Sequence, residues 1–227
     1  MGLKEKLLQN KAIKNWKRNK EKAKFKGSEN YWEERYASAG NSGSGSYDHL
    51  AEFKAEVINS FVKDKVVKSV IEFGSGDGNQ LKIAEYPSYI GLDVSPTAVR
   101  LCQKLFEKDN TKSFYVYNSL AFQDKQRLFH ADLTMSLDVL YHLVEKEIFE
   151  KYLLDLFNAA DKYVIIYASD YNQAEEPIHQ HENRRKFTDF IKNNLKDWKL
   201  LEVIKNKYPV DTHGMKGSLS DFFIYSK

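Results

Sequence analysis

The spacing of apolar residues predicts that strands and helices alternate along most of the chain. Apolar side chains recur at helical spacing over residues 50–61, and residues 66–73 then form an apolar run typical of a buried strand. Further strands are predicted at residues 89–94, 114–117, 131–137, 163–168, 198–203 and 222–225, with helices at 96–107 and 146–157. This alternation is typical of an α/β fold, in which crossover helices connect the strands of a parallel sheet.

A run of glycine and serine separates this region from the N-terminus. Residues 40–46 read Gly-Asn-Ser-Gly-Ser-Gly-Ser, a composition typical of a flexible loop. The chain has 227 residues, 42% of them hydrophobic, which is enough for one domain with a full core. We therefore expect an α/β domain over residues 48–227, preceded by a basic helical extension and the loop over residues 1–47.

The positive charge of the chain is concentrated at its N-terminus. Residues 1–27 hold ten Lys or Arg against two Glu, a balance of +8, so the remaining 25 basic and 30 acidic residues sum to −5. Apolar residues among these lysines suit a short amphipathic helix with a cationic face. Such a helix either lies solvated beside the domain or binds RNA or an anionic membrane surface.

No feature of the chain predicts export or insertion into a membrane. Cys102 is the single cysteine, so no disulfide can form within the chain. No apolar run approaches the roughly 18 residues of a membrane span, and the lysine-rich start lacks the apolar core of a signal peptide. We expect a cytoplasmic protein.

Three glycines follow the predicted strand at residues 66–73. The segment Gly74-Ser75-Gly76-Asp77-Gly78 places them where the strand turns into a helix, and glycine lets the backbone turn tightly and approach a ligand. Asp93 ends the next strand 21 positions after Glu72, which matches the acidic residue that binds ribose hydroxyls in doubly wound folds. The two features predict a nucleoside-type ligand. A tight turn without a ligand is the alternative for the glycines alone.

The charge and spacing of this segment favour one ligand over another. The glycines run G-x-G-x-G instead of the G-x-G-x-x-G of NAD sites, and Glu72 and Asp77 would repel a pyrophosphate. S-adenosylmethionine has no phosphate and carries an ammonium and a sulfonium, so an acidic loop attracts it. Backbone amides at a helix start can meet its carboxylate. The segment therefore favours the methyl donor.

A third polar cluster follows the predicted strand at residues 131–137. It carries Asp138, Tyr141 and His142. The carboxyl ends of strands in open α/β sheets face the ligand crevice, so these side chains are expected beside the bound ligand.

These three segments resemble the first, second and fourth motifs of class I S-adenosylmethionine-dependent methyltransferases. The matching stretches are residues 71–78, 90–95 and 136–143, and the resemblance spans about residues 48–227. It implies a Rossmann-like seven-stranded sheet, six strands parallel and the last antiparallel. It also implies S-adenosylmethionine as cofactor, lying across the ends of the first, second and fourth strands.

The resemblance implies a role for individual positions. Residues 74–77 would hold the methionyl part, Asp93 the ribose, Val94 one face of the adenine, and the Leu137 backbone the methionyl amine. The acidic residue common after the third strand is replaced by Asn118-Ser119-Leu120, so Ser119 or a backbone amide would contact the adenine edge. The implied cofactor-binding set is Glu72, Gly74, Ser75, Gly76, Asp77, Gln80, Asp93, Val94, Ser119, Leu120, Leu137, Tyr31 and Arg35.

The aromatic segment at residues 31–36 also resembles one that folds over the donor in many small-molecule methyltransferases, which implies that residues 1–47 cover the active site. With the loop at 40–46 and residues 51–56, it is similar to bacterial methyltransferases of surface-polysaccharide gene sets, including those linked to capsule O-methyl phosphoramidate. The alternative is that Tyr31, Trp32 and Tyr36 are core anchors at helical spacing.

Two groups of residues are candidates for the acceptor side of the reaction. An oxygen acceptor needs a base, and His142 is the first candidate and Tyr141 the second, since imidazole titrates near neutral pH. The alternative is that His142 only caps the turn or packs against the cofactor. Residues 177–186 concentrate two histidines and three cations, which suits an anionic, phosphorylated or sugar-like small molecule. The candidate acceptor-binding residues are Tyr47, Tyr171, His181, Arg184 and Arg185.

Three alternatives to this hypothesis are a metal site, an RNA or protein acceptor, and a protein without catalytic activity. His179 and His181 have no obvious thiolate partners, so no metal site is predicted. The basic N-terminus also allows an RNA or protein methyltransferase, although no asparagine-proline-proline-tyrosine motif follows the fourth strand. A binding module without catalysis on a methyltransferase scaffold is the third alternative.

Overall fold

Seven strands form one sheet in the computed structural model, which describes residues 25–173, 180–210 and 217–227. The basic tail at residues 1–24 and His179 lie outside the described residues, so the predicted tail helix stays a prediction. The strands are β1 (Val70–Phe73), β2 (Tyr89–Asp93), β3 (Lys112–Val116), β4 (Ala131–Leu137), β5 (Ala160–Ala168), β6 (Lys199–Ile204) and β7 (Asp221–Ser226).

The strands are arranged in the order β3-β2-β1-β4-β5-β7-β6. Strands β1 to β5 pair in parallel, whereas β7 runs antiparallel to both β5 and β6. Six strands therefore point one way and one points the other, which confirms the predicted Rossmann-like α/β fold. Since β1 and β4 are neighbours, the chain reverses its direction of winding between them, and a crevice opens at their carboxyl ends.

Five α-helices connect and cover these strands in the described residues. They are α1 (Ser28–Ala37), α2 (Asp48–Asp64), α3 (Pro96–Leu105), α4 (Lys146–Asn158) and α5 (Phe187–Asn194). Helix α2 begins at the predicted domain boundary. None of the described helices is long and apolar enough to cross a membrane.

Two local predictions were wrong. The strand predicted from residue 66 begins at Val70, because α2 continues to Asp64 and the chain then turns through Val66 at a φ of 52°. No α-helix follows the glycines: a short 3-10 helix, Gln80–Ile83, stands there instead. Only ten residues separate Gly78 from β2, and Pro87 lies among them, which leaves no room for a regular helix.

Apolar side chains cover both faces of the sheet. On one face Ile71 and Phe73 of β1 join a core that includes Leu153 of α4 and Phe187 of α5. On the other face Val70 joins a second core that includes residues of α2 and α3. Burial on both faces is typical of a parallel sheet, and it fixes the strand ends that carry the polar segments.

We expect Tyr152→Phe to destabilise the fold. The buried Tyr152 hydroxyl on α4 lies 2.7 Å from both the Phe73 carbonyl and Ser136 Oγ, and it ties the helix to β1 and β4. Its removal leaves two buried groups without this partner, a loss of about 1–3 kcal/mol in the free energy of unfolding. Urea denaturation measures this loss in the free energy of unfolding, and Tyr115→Phe, at an exposed position of β3, is the matched control. Equal stability of the two variants would contradict the prediction.

Candidate functional site

The loop at residues 74–78, called here the glycine loop, crosses the carboxyl end of the sheet directly after β1. Gly74 and Gly76 adopt φ values of 88° and 58°, in the region that favours glycine. A Cβ at Gly74 would lie 2.4 Å from Val139 Cγ2, so only glycine lets the loop pass this closely beneath the end of β4. The first and fourth motifs are therefore packed against each other.

Asp93 at the end of β2 fixes the shape of the glycine loop. Its Oδ2 accepts the Gly76 amide at 2.8 Å, and its Oδ1 accepts the Ser95 amide at 2.9 Å. Burial raises the pKa of Asp93 to about 6, although both amide hydrogen bonds act against that rise. Each carboxylate oxygen retains a second lone pair for a ligand hydroxyl.

Glu72 lies beneath the same loop, inside the sheet. It is buried and accepts the Tyr89 hydroxyl at 2.6 Å. Burial raises its pKa to about 7, so this carboxyl is partly protonated at neutral pH.

Residues 28–47, called here the N-terminal cap, lie over the glycine loop. The Ser42 amide donates to Asp77 Oδ2 at 2.8 Å, while the Asp77 amide donates to Ser42 Oγ at 2.9 Å. The Tyr47 hydroxyl donates to the same carboxylate at 2.8 Å. A Cβ at Gly76 would lie 2.3 Å from Ser42 Oγ, so cap and glycine loop fit together without space for a side chain.

Helix α1 of the cap is held mainly by hydrogen bonds, since only Ser28 and Tyr36 of its residues are buried. Glu33 accepts hydrogen bonds from Ser95 and Thr97 at the start of α3, and these lower the pKa of its carboxyl. Ser28 Oγ donates to Glu145 at 2.6 Å, just beyond β4. The helix thus spans the carboxyl ends of several strands.

A first cavity of about 980 Å³, open to solvent, lies between the cap and the sheet. Ten of the thirteen predicted cofactor-binding residues line it: Glu72, Gly74, Ser75, Gly76, Asp77, Gln80, Asp93, Val94, Ser119 and Leu137.

A second cavity of about 1040 Å³ lies on the other side of the cap. It is lined by Tyr31 and Arg35, which were predicted to bind the cofactor, together with four residues predicted for the acceptor side: Tyr141, His142, His181 and Arg184. The buried Arg184 Nε has no hydrogen-bond partner among the described residues. Tyr31 and Arg35 thus line the second cavity and not the first.

The two cavities share a wall made of Trp32, Ser42, Asp138 and His142. His142 Nδ1 lies 3.0 Å from the His181 carbonyl, which can only accept, so Nδ1 carries the proton and Nε2 a lone pair. Burial lowers the pKa of His142 to about 4. The wall therefore contains a neutral imidazole with an available acceptor nitrogen.

Tyr141 is placed differently from His142. Its hydroxyl donates to Asp138 Oδ1 at 3.2 Å, and burial together with this carboxylate raises its pKa well above the ordinary value. A phenol held in the protonated form is a poor base at neutral pH.

Four predicted site residues line neither cavity. Tyr47 donates to Asp77 as part of the cap, while Leu120 and Tyr171 are 67% and 42% exposed. Arg185 donates to the carbonyls of Leu143 and Val144, because its guanidinium folds back onto the turn after β4. In this structure Arg185 therefore holds that turn.

Sequence reasoning missed Lys54, a lysine with a 1% exposed side chain that lines the first cavity. Its Nζ lies 3.0 Å from Asp138 Oδ2. One signal was present in the sequence: Lys54 lies four residues after Leu50 and four before Ile58, inside the apolar stripe of α2. A lysine on the buried face of a helix needs a partner charge.

Comparison with known proteins identifies the fold. No protein-family profile matches the chain. Among curated proteins it is 24% identical over 199 residues to the small RNA 2′-O-methyltransferase of Arabidopsis thaliana, an alignment that covers 74% of the chain. That alignment covers 21% of the curated protein, so the chain spans about a fifth of its length.

Solved structures agree over most of the chain. N-methyltransferase NodS from Bradyrhizobium japonicum WM9, in complex with S-adenosylhomocysteine, has a TM-score of 0.61 at 13% identity, covering 88% of this chain and 98% of NodS. The methyltransferase domain of bacterial CtHen1 has a TM-score of 0.57 at 19% identity, covering 76% and 96%. Magnesium protoporphyrin IX methyltransferase from Synechocystis PCC 6803, with bound S-adenosylmethionine, has a TM-score of 0.57 at 16% identity, covering 82% and 86%. The chain has the fold of these methyltransferases.

We expect the neutral His142 to make stability depend on pH. The unfolded state takes up a proton near pH 6.5, whereas the folded state takes it up only near pH 4. Stability is therefore lost as the pH falls from about 6.5 to about 4, on the order of 2 kcal/mol from this residue. Urea denaturation at pH 7, 5.5 and 4.5 should show a shallower loss for His142→Gln than for the unmutated chain. Identical slopes would contradict the assignment of a neutral imidazole.

Proposed function

We propose that this chain, which has the class I fold of S-adenosylmethionine-dependent methyltransferases, transfers a methyl group from S-adenosylmethionine to an oxygen or nitrogen of a small molecule. The observation that carries the proposal is the meeting of two cavities at one thin wall that contains His142. Methyl transfer is an in-line displacement, so the donor and the acceptor must approach each other from opposite sides of one point.

The residues of the first cavity suit the methyl donor. Five carboxyl groups line it, which favours a ligand of net positive charge, and Gln80 Oε1 is a buried acceptor without a partner among the described residues. When bound, S-adenosylmethionine supplies a methyl group activated by its sulfonium. We assign the methionyl part to the glycine loop and Leu137, the ribose to Asp93, and the adenine to Val94 and Ser119.

The N-terminal cap would position the reactants and exclude water. Its hydrogen bonds to Asp77 and to Ser95 and Thr97 hold it over the first cavity, while Tyr31 and Trp32 face the second. Exclusion of water strengthens the electrostatic interactions of the reacting groups.

His142 would act as the base for a hydroxyl acceptor. Its Nδ1 proton is held by the His181 carbonyl, so Nε2 is the atom that can take the acceptor's proton as the new bond to the methyl carbon forms. The ring is neutral at neutral pH, so Nε2 has a lone pair to offer the acceptor's hydroxyl. We assign Tyr141 to orienting Asp138.

The second cavity suits an anionic or sugar-like acceptor. Arg184 lies with its guanidinium carbon 5.3 Å from the centre of the Tyr141 ring, paired with Glu182 at 2.9 Å, and its Nε remains available for a phosphate or carboxylate oxygen. The resemblance of residues 31–56 to surface-polysaccharide methyltransferases supports an acceptor of this class.

A second candidate function is methylation of RNA. It is favoured by the similarity to a small RNA 2′-O-methyltransferase and by the +8 charge of residues 1–27.

We expect the unmutated chain to bind S-adenosylhomocysteine with a dissociation constant in the micromolar range, measured by calorimetry. Asp93→Ala should weaken this binding at least about tenfold, because it removes both the proposed ribose contact and the support of Gly76. The control Asp64→Ala changes an exposed carboxylate at the end of α2 and should bind normally. Absence of binding by the unmutated chain would reject the proposal.

The two acceptor classes can be separated by deleting residues 1–24. If the acceptor is small, the truncated chain should release S-adenosylhomocysteine in the presence of phosphorylated sugars at a rate within about twofold of the rate of the full chain. This rate should change little with salt concentration. If RNA is the acceptor, RNA binding should fall steeply between about 50 and 200 mM salt and disappear with the deletion. Methylated RNA obtained together with that salt dependence would favour the RNA enzyme.

A further inference from the structure

The charges that line the first cavity are strongly unequal. Glu29, Glu72, Asp77, Asp93 and Asp138 contribute carboxyl groups, and Lys54 is the one cationic side chain among the described lining residues, since His142 is neutral. Such a cavity attracts the sulfonium and the ammonium of S-adenosylmethionine. Of the charged side chains that line it, only that of Lys54 attracts the donor's carboxylate.

Lys54 has hydrogen-bonding capacity to spare. Its ammonium has three N–H donors, and its one hydrogen bond among the described residues goes to Asp138 Oδ2. The Tyr167 ring, with its centre 5.4 Å from Nζ, forms another side of its environment. The buried ammonium can therefore take a second carboxylate partner from the cavity.

Gln80 lies beside the same turn of α2. Its Nε2 donates to the Ala51 carbonyl at 2.9 Å, which fixes the orientation of the amide, and its buried Oε1 has no partner among the described residues. Ala51 and Lys54 are three residues apart on one helix. Gln80 of the 3-10 helix and Lys54 of α2 thus meet at one turn of α2, and both line the first cavity.

We propose that Lys54 and Gln80, together with the glycine loop and Leu137, bind the amino-acid end of the donor. Lys54 binds the carboxylate, and Gln80 Oε1 accepts a hydrogen bond from the ammonium. The inference rests on the proposed function, and it makes these two residues the determinants that distinguish S-adenosylmethionine and S-adenosylhomocysteine from adenosyl thioethers without an amino acid.

Calorimetry with two ligands tests this assignment. S-adenosylhomocysteine carries the amino-acid end, and 5′-methylthioadenosine lacks it. Lys54→Met should weaken binding of the first ligand about 10- to 100-fold and that of the second by less than about threefold. Gln80→Leu should produce a smaller loss with the same selectivity. Lys63→Met, an exposed lysine near the end of the same helix, is the matched control and should bind both ligands normally.

A second variant keeps the test valid if Lys54→Met fails to fold. That substitution leaves Asp138 without its ion pair, whereas Lys54→Met combined with Asp138→Asn removes both charges together. The double variant should show the same selective loss. Equal losses for both ligands, or no loss for either, would overturn the assignment of Lys54. Failure of the unmutated chain to bind either ligand would overturn the proposed function itself.

Discussion

The buried ion pair between Lys54 and Asp138 is the interaction on which the site depends. An isolated ammonium cannot be buried without a large loss of hydration, so α2 can pack against the sheet at this point only if a carboxylate meets Lys54. Asp138 also accepts the hydroxyls of Tyr141 and Ser220, the latter just before β7. One carboxylate therefore positions the turn after β4 and the wall between the cavities. Asp138 itself adopts a φ of 59°, a conformation that these contacts hold in place.

The N-terminal cap belongs to the site as much as the sheet does. A parallel sheet offers a crevice at its carboxyl end, but an open crevice leaves the reacting groups in water. Here residues 28–47 lie over it, and their contacts are with carboxylates, hydroxyls and amides instead of an apolar core. Such an attachment contributes little net stability, because water can replace each of these hydrogen bonds.

The sequence predicted the sheet, and ten of the residues it marked line one cavity, for a physical reason. Buried strands leave apolar runs, and the glycine loop and Asp93 stand at fixed distances along the chain from β1. These signals are local. The partners of Asp77 and Glu33 lie 30 to 64 residues away and depend on how the N-terminal segment folds back, which no short pattern records.

Tyr47 and Arg185 show what residue type alone could not predict. Their residue types suggested ligand contacts, but in the folded chain Tyr47 donates to a carboxylate and Arg185 to two carbonyls. Lys54 lay inside an apolar stripe, and its partner is 84 residues away.

The long separations of the cap contacts have a consequence for biosynthesis. Helix α1 leaves the ribosome before every strand, yet Ser28 contacts Glu145 across 117 positions and Glu29 contacts Asn118 across 89. The helix has few buried side chains of its own, so it cannot complete its contacts until residue 145 has been synthesised. A helix that emerges before every strand is therefore among the last elements to be placed, and a nascent chain interrupted before residue 145 would carry the whole glycine loop without a completed cap over it.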